Sequence, residues 1–263
     1  MTPIQSLSHS WKLQCRVLGA LLMREILTRY GRHNIGFLWL FVEPMMFTVG
    51  VTVLWNVAKA SHGSNLPITA FAVTGYSTVL LWRNMPARCI AAIDPNKALL
   101  FHRYVKVIDL FLSRLLLEGS GATLSFVILS SLFIYLGWMS PPEDVLQVVG
   151  GWLMTAWFGV ALGLLLGSLA EGSELVDKLW HPGSYLLFPL SGAAFIVDAL
   201  PKGMQTFVLY LPMVHGVEFV REGFFGSRIH AHYDMGYMAL INFALTFCAL
   251  LQVRRVGERV IPE

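Results

Sequence analysis

Apolar residues in this chain gather into about six long blocks, separated by stretches that carry the charges, prolines and turn formers. The blocks are Gly36–Ala58, Leu66–Trp82, Ile108–Leu136, Val145–Leu169, Gly183–Leu200 and Gly236–Val253. About 20 apolar residues in helical form cross the hydrocarbon core of a bilayer, where a segment must satisfy its own backbone hydrogen bonds. The pattern therefore predicts an all-α integral membrane protein with six transmembrane helices. They form one membrane domain over residues 36–253, preceded by residues 1–35 and followed by a short tail, 254–263.

Composition sharpens this picture. Only 13% of the residues are charged and 56% are hydrophobic, with a mean hydropathy of +0.61. Soluble proteins carry about 25% charged residues. The net charge of +3 is too small to point to a nucleic-acid partner. The placement of the charges says more. Lys12, Arg16, Arg24, Arg29 and Arg32 precede the first block, and Arg83, Arg88, Lys97, Arg103 and Lys106 follow the second. Lys178 lies between the fourth and fifth blocks, and Arg254, Arg255 and Arg259 follow the last. The alternate connections hold only Lys59, Lys202, Arg221 and Arg228. Lysine and arginine accumulate on the cytoplasmic side, so both termini are expected there. Cys15, Cys89 and Cys248 lack CxxC or metal-ligand spacing, and the first two fall on the reducing side, so no disulfide is expected. The first 30 residues lack the apolar core and cleavage site of a removable signal peptide.

Several segments depart from a plain row of spans. Ser10–His33 is too charged to cross, and Leu18, Leu21, Leu22, Glu25 and Arg29 recur at helical spacing. This predicts a cytoplasmic interfacial amphipathic helix, which either orients the first span or binds lipid phosphate. Glu43 and Pro44 interrupt the first block; a salt bridge from Glu43 to an arginine of the N-terminal helix would lower the cost of the carboxylate. The segment Ile93-Asp94-Pro95-Asn96-Lys97 lies in the basic connection from Arg83 to Val107 and reads as a structured turn. Arg114 and Glu118 stand at i,i+4 spacing inside the third block and are expected to pair. Gly159, Gly163 and Gly167 form a small-residue stripe suited to close helix packing, within the chain or between two copies. The connection Pro201–Asp234 is long, moderately apolar and broken at Pro212, which predicts a re-entrant helical element before the last span.

Other chemistry is missing. No GxxxxGK[ST] cradle for nucleotide phosphates occurs, and none of the six lysines follows a glycine. His230 and His232 form the only close histidine pair, without the Cys or carboxylate companions of a metal site. The apolar blocks hold no histidine to act as a base for Ser120 in Gly119-Ser120-Gly121. The chain is therefore expected to be neither an enzyme nor a metalloprotein.

Three segments in order resemble the permease subunit of ABC exporters of the polysaccharide-export type. The first runs from Arg24-Glu25 through Arg29-Tyr30-Gly31 to Gly36, Trp39 and Glu43-Pro44. The second is Phe101-His102-Arg103-Tyr104-Val105-Lys106-Val107-Ile108-Asp109 with Arg114 and Glu118, similar to the capsule-exporting, KpsM-like branch. It departs from that branch in having Tyr104 and Val107 where proline is common. The third is Leu211-Pro212-Met213-Val214-His215 with Glu218, Arg221 and Glu222. The resemblance implies a half-transporter in the bacterial inner membrane. A second copy of the chain would complete the pore, and two copies of a separate ABC ATPase, holding ATP and Mg, would drive it. The cargo implied is lipid-linked capsular polysaccharide, handed on to periplasmic and outer-membrane export proteins. Other cargoes of the same architecture (O-antigen, teichoic acid or a small lipophilic drug) stay open, as does a membrane-embedded enzyme.

Candidate contacts follow from residue chemistry. Arg24, Arg29, Arg32, Arg83 and Arg103 are candidates for the phosphate or acidic sugars, because guanidinium binds such groups bidentately. Trp39, Tyr76, Trp82, Trp152, Trp157 and Tyr185 are candidates for stacking on sugar rings, or alternatively anchor the helices in lipid. Asp94, Pro95, Asn96 and Lys97 are the candidate coupling surface for the ATPase, and Glu43, Arg114 and Glu118 the candidate intramembrane polar residues.

Overall fold

The computed structural model describes residues 3–31, 38–58, 66–102 and 104–260. Among the described residues the secondary structure is entirely helical. The long elements are α1 (Pro3–Tyr30), α2 (Trp39–Ala58), α3 (Ile68–Ile90), α4 (Val107–Tyr135), α5 (Val145–Ala170) and α6 (Glu174–Leu190). Two shorter helices, α7 (Lys202–Val208) and α8 (Pro212–Phe225), precede α9 (Met235–Val260), and a 3-10 helix (Asp94–Phe101) joins α3 to α4.

By length and apolar composition α2, α4, α5 and α9 are each able to cross a membrane. α3 is 23 residues long but differs in character. It runs through the middle of the bundle, with Phe71, Ala72, Val73, Val79 and Trp82 wholly enclosed. Because its neighbours rather than lipid cover it, it tolerates Thr69, Thr74, Ser77 and Thr78. Thr74 and Thr78 donate to the carbonyls of Ala70 (2.8 Å) and Thr74 (2.5 Å), so their hydroxyls are satisfied within the helix.

Three boundaries differ from the sequence reading, one of them the end of α9, which runs past Val253 to Val260 and so carries Arg254, Arg255 and Arg259 on helix. α3 continues past Trp82 to Ile90, so Arg83 and Arg88 lie on helix rather than in the connection. Their charges find partners on α2, α4 and α6, described below, and these let the helix run on. The fifth block is not one helix. α6 starts at Glu174, capped by the Ser173 hydroxyl, and stops at Leu190. Pro189 removes a backbone donor there, and Gly192 takes φ 85°, so the chain turns and does not continue as helix.

The α4–α5 hairpin shows the same local logic. Gly137 sits at φ 74° and the Trp138 N–H returns to the Phe133 carbonyl (2.9 Å), which ends α4. Asp144 then caps α5 by accepting the Gln147 N–H (2.9 Å).

α5 is the packing hub, and its glycines explain why. A Cβ on Gly159 would stand 2.9 Å from Trp82 Cα, and one on Gly167 would stand 2.7 Å from Cys89 Cβ. The stripe is thus used inside the chain, where it brings α5 against α3 with backbones in near contact. On the same helix nearer its start, Gly151 faces Val220 of α8, and Thr155 faces Gly216. The pairs Gly223 with Val148, Val220 with Gly151 and Gly216 with Thr155 show α8 running antiparallel to the first turns of α5. From Gly216 to Gly223 α8 lies alongside α5 for about 10 Å, from the 1.5 Å rise per residue of a helix.

The bundle has two distinct ends. One carries α1, the 3-10 helix, the α5–α6 turn and the last turn of α9. The other carries the α4–α5 hairpin, α7, the C-terminal end of α8 and the start of α9.

Candidate functional site

At the α1 end, charged side chains from four helices meet. Arg29 of α1 donates to Glu118 of α4, and the same carboxylate lies 3.2 Å from Arg88 Nε of α3. Glu43 of α2 completes the group, 4.0 Å from both Arg29 and Arg88. Arg114 does not pair with Glu118, contrary to the i,i+4 expectation. It turns to α1, where its Nε lies 3.2 Å from Glu25, and its Nη1 donates to the Arg88 carbonyl (2.7 Å). The reason is competition. Glu118 already faces two guanidinium groups, and Arg114 reaches a carboxylate of its own on the neighbouring helix. Both glutamates and Arg114 are largely shielded from solvent, so each pair removes a desolvated, uncompensated charge. The expected salt bridge from Glu43 to an arginine of the N-terminal helix is present as a long one.

The 3-10 helix is tied into this junction. Asn96 is buried, donates to the Ala92 carbonyl (2.8 Å) and accepts from Arg24 of α1. Gln14 of α1 also donates to Asp109 at the start of α4. Asp94, Pro95 and Lys97 face outward, with Lys97 Nζ 2.7 Å from Asp94 and 3.4 Å from Glu171 in the α5–α6 turn. The Asp94 carboxylate raises the pKa of the Lys97 ammonium, with Glu171 adding to it. The turn is thus an exposed ridge whose one inward residue, Asn96, holds α1.

The sequence candidates separate into three groups. Arg24 and Arg29 have internal partners, and Arg32 and Arg103 lie outside the described residues. Arg83 is different. Its guanidinium lies 4.7 Å from the Tyr185 ring centre and 5.5 Å from that of Phe188, and its buried Nε has no hydrogen-bond partner among the described residues. Tyr76 continues the surface, 5.5 Å from Phe188 and 6.0 Å from Trp55, with Phe47 of α2 closing the cluster. Tyr185 is 69% exposed, so one side of this aromatic–arginine face is open.

Trp82, Trp152 and Trp157 serve packing. Trp82 is fully enclosed beside Phe158. Trp152 stacks on Phe126 at 4.5 Å and donates to Thr123 (2.9 Å). Trp157 donates to Thr246 of α9 (3.0 Å) and meets Phe243 edge-on. Trp39 is half-exposed at the start of α2.

At the opposite end α8 buries charge inside the bundle. Arg221 is wholly enclosed; it donates to the carbonyls of Gly192 (2.6 Å), Ala193 (2.7 Å) and Phe195, and lies over the Phe71 ring at 3.8 Å. Those carbonyls belong to the turn that follows α6. Glu218 accepts the N–H groups of Val197 (3.3 Å) and His232 (3.2 Å), and its burial raises its pKa. His215 donates from Nε2 to the Leu209 carbonyl (2.8 Å) and accepts the Asp234 N–H at Nδ1 (2.8 Å). This arrangement fixes one neutral tautomer, and burial lowers its pKa. No spacing rule points to these bonds. The partners of Arg88, Glu25 and Asn96 were likewise hidden, since they lie on other helices.

Residues 16–225 match the ABC-2 type transporter family. The chain is 42% identical, over 97% of its length and 96% of the relative's, to the capsule polysaccharide export inner-membrane protein CtrC of Neisseria meningitidis serogroup B. It is 39% identical, with the same coverage, to the capsule polysaccharide export inner-membrane protein BexB of Haemophilus influenzae. The polysialic acid transport protein KpsM of Escherichia coli is 25% identical over 96% of this chain and 98% of its own. With apolar helices that can cross a bilayer and a family match over most of its length, this chain belongs to the ABC-2 type transporter family.

Proposed function

We propose that this chain is the membrane-spanning half of an ATP-driven exporter that moves lipid-linked capsular polysaccharide outward across the bacterial inner membrane. The observation that carries this is the 42% identity, end to end, with a capsule polysaccharide export inner-membrane protein. In this reading six helices span, with α3 and α6 joining the four strongly apolar ones, and both termini lie in the cytoplasm. The basic residues of the α1 end support that orientation. On α1, Trp11, Met23 and Leu27 are exposed apolar side chains, which suit a helix in contact with the inner leaflet. α8 is then the re-entrant element on the outer side.

Two copies of the chain enclose the path, and two copies of a separate ABC ATPase, with ATP and Mg, dock on the exposed ridge Asp94, Pro95 and Lys97. Movement of that ridge passes through Asn96 and Arg24 to α1, and through Glu118 and Arg88 to α4 and α3. Arg83 and Tyr185 offer a cation and an aromatic face to the phosphate or acidic sugars of the cargo. Periplasmic and outer-membrane export proteins take the glycan onward.

The test is purification of the tagged chain in mild detergent from its native cell, with partners identified by mass spectrometry. Recovery of an ABC ATPase at about one per copy, lost when Asp94–Lys97 are replaced by alanines, is the expected result. Recovery of the intact chain without an ATPase, where other complexes survive, would overturn the proposal.

A further inference from the structure

At the end of the bundle opposite α1, three segments enclose a cleft of about 550 Å³: the α7–α8 connection, the stretch before α9 and the first turn of α9. Tyr210, Tyr233 and Tyr237 converge on it together with His215, His232 and Asp234. Aromatic residues that anchor a helix at a membrane surface spread outward around that helix. Here the rings come from separate segments and face a shared space.

The walls are held by bonds of their own. The Tyr237 hydroxyl donates to the Tyr210 carbonyl (2.9 Å), and the Tyr237 and His215 rings lie 5.3 Å apart. Tyr233 donates to Glu222 (2.6 Å), and His232 Nε2 lies 3.0 Å from Asp198. One oxygen of Asp234 accepts the Tyr237 N–H (2.9 Å), which leaves the carboxylate its second oxygen for another donor. Among the described residues the lining carries this carboxylate and neither lysine nor arginine. Apolar ring faces with a few fixed polar groups suit a ligand that has C–H faces and hydroxyl donors, and a carboxylate without a cation disfavours an anionic one.

We infer that this cleft binds an uncharged sugar residue of a glycan chain on the outer face of the protein. The inference rests on the export reading above, and it places a neutral stretch of the glycan here, apart from the cationic Arg83 toward the α1 end.

The experiment reads binding independently of export. The purified full chain in lipid nanodiscs is titrated with maltose, lactose and N-acetyllactosamine, and with sialyllactose as the anionic counterpart, by saturation-transfer NMR. Saturation of the neutral sugars is expected, weakened about tenfold by Tyr210→Ala and by Asp234→Asn, the size of one lost contact of about 1.4 kcal/mol. Sialyllactose is expected to bind more weakly, and to gain in Asp234→Asn. Tyr210 is 69% exposed and asparagine keeps a capping oxygen at position 234, so an unchanged unfolding temperature is expected for both variants. No saturation of any neutral sugar, binding indifferent to both substitutions, or equal binding of sialyllactose overturns the cleft assignment. Those outcomes leave ATPase recovery unaffected, whereas loss of the ATPase with sugar binding intact overturns the export reading alone.

Discussion

Glu118 of α4 and Arg88 of α3 meet at 3.2 Å across two helices, while Arg114, one turn from Glu118 on its own helix, points elsewhere. This crossing, with Arg29 joining from α1, makes the charged junction a clamp between helices rather than a decoration of one of them. Glu118→Gln leaves the two guanidinium groups only their long contacts to the exposed Glu43. The expected loss is about 3 kcal/mol of stability, the cost of breaking a shielded ion pair on one side. Thermal unfolding in detergent measures it, and a cycle with Arg29→Gln is expected to show coupling of about 1–3 kcal/mol. Additive effects would dissolve the clamp.

The α3–α5 seam predicts a steric result. Gly167→Val places branched carbons where even a Cβ would be 2.8 Å from Phe111 and 2.7 Å from Cys89. Both are inside the core, so the helices must separate, at a cost of about 1–3 kcal/mol. The same change at Gly50, with nothing within 4 Å of its Cβ, is expected to be tolerated in the isolated chain. Unfolding temperature and monodispersity of the two variants provide the comparison.

Arg221 holds the turn after α6 by serving its carbonyls. Arg221→Lys keeps the charge yet loses the planar fork that reaches Gly192 and Ala193 together. It is expected to destabilise nearly as much as Arg221→Met, by about 3 kcal/mol. Rescue by lysine would show that charge alone matters here.

Asn96 joins the outward ridge to α1. Asn96→Ala removes the bond from Arg24 and leaves Asp94 and Lys97 in place. In the proposed exporter this variant is expected to retain ATPase association while export falls. Loss of association would assign Asn96 to the docking surface itself.

His215 makes stability depend on pH with a definite sign. Its folded pKa lies below the ordinary histidine value because burial disfavours the cation. The unfolded chain therefore binds the proton first as pH falls, so this contribution is whole above about 6.5 and is lost below it. Unfolding between pH 7.5 and 5.5 is expected to show a steeper loss in the native chain than in His215→Gln. Glu218, whose raised pKa acts with the opposite sign, is common to both.

The sequence by itself determined the class of this protein. Long apolar blocks, a scarcity of charge and Pro- or Gly-marked ends follow from the solvent the helices must face, and each is a local property. Leu66–Trp82 and Gly183–Leu200 mark its limit: the first continues as helix to Ile90 because distant helices take its charges, and the second breaks at Leu190, where Pro189 and Gly192 turn the chain and the distant Arg221 holds the turn. The same holds for the aromatic candidates. Composition cannot tell enclosed Trp82 from exposed Tyr185, since burial depends on which helix lies across each ring. Only the tertiary structure decided that Arg114 would leave Glu118 for Glu25, and that Arg221 would enter the core to satisfy the turn after another helix. Helical periodicity places side chains on a face, but the choice among opposite charges within reach is made by the helices brought against that face.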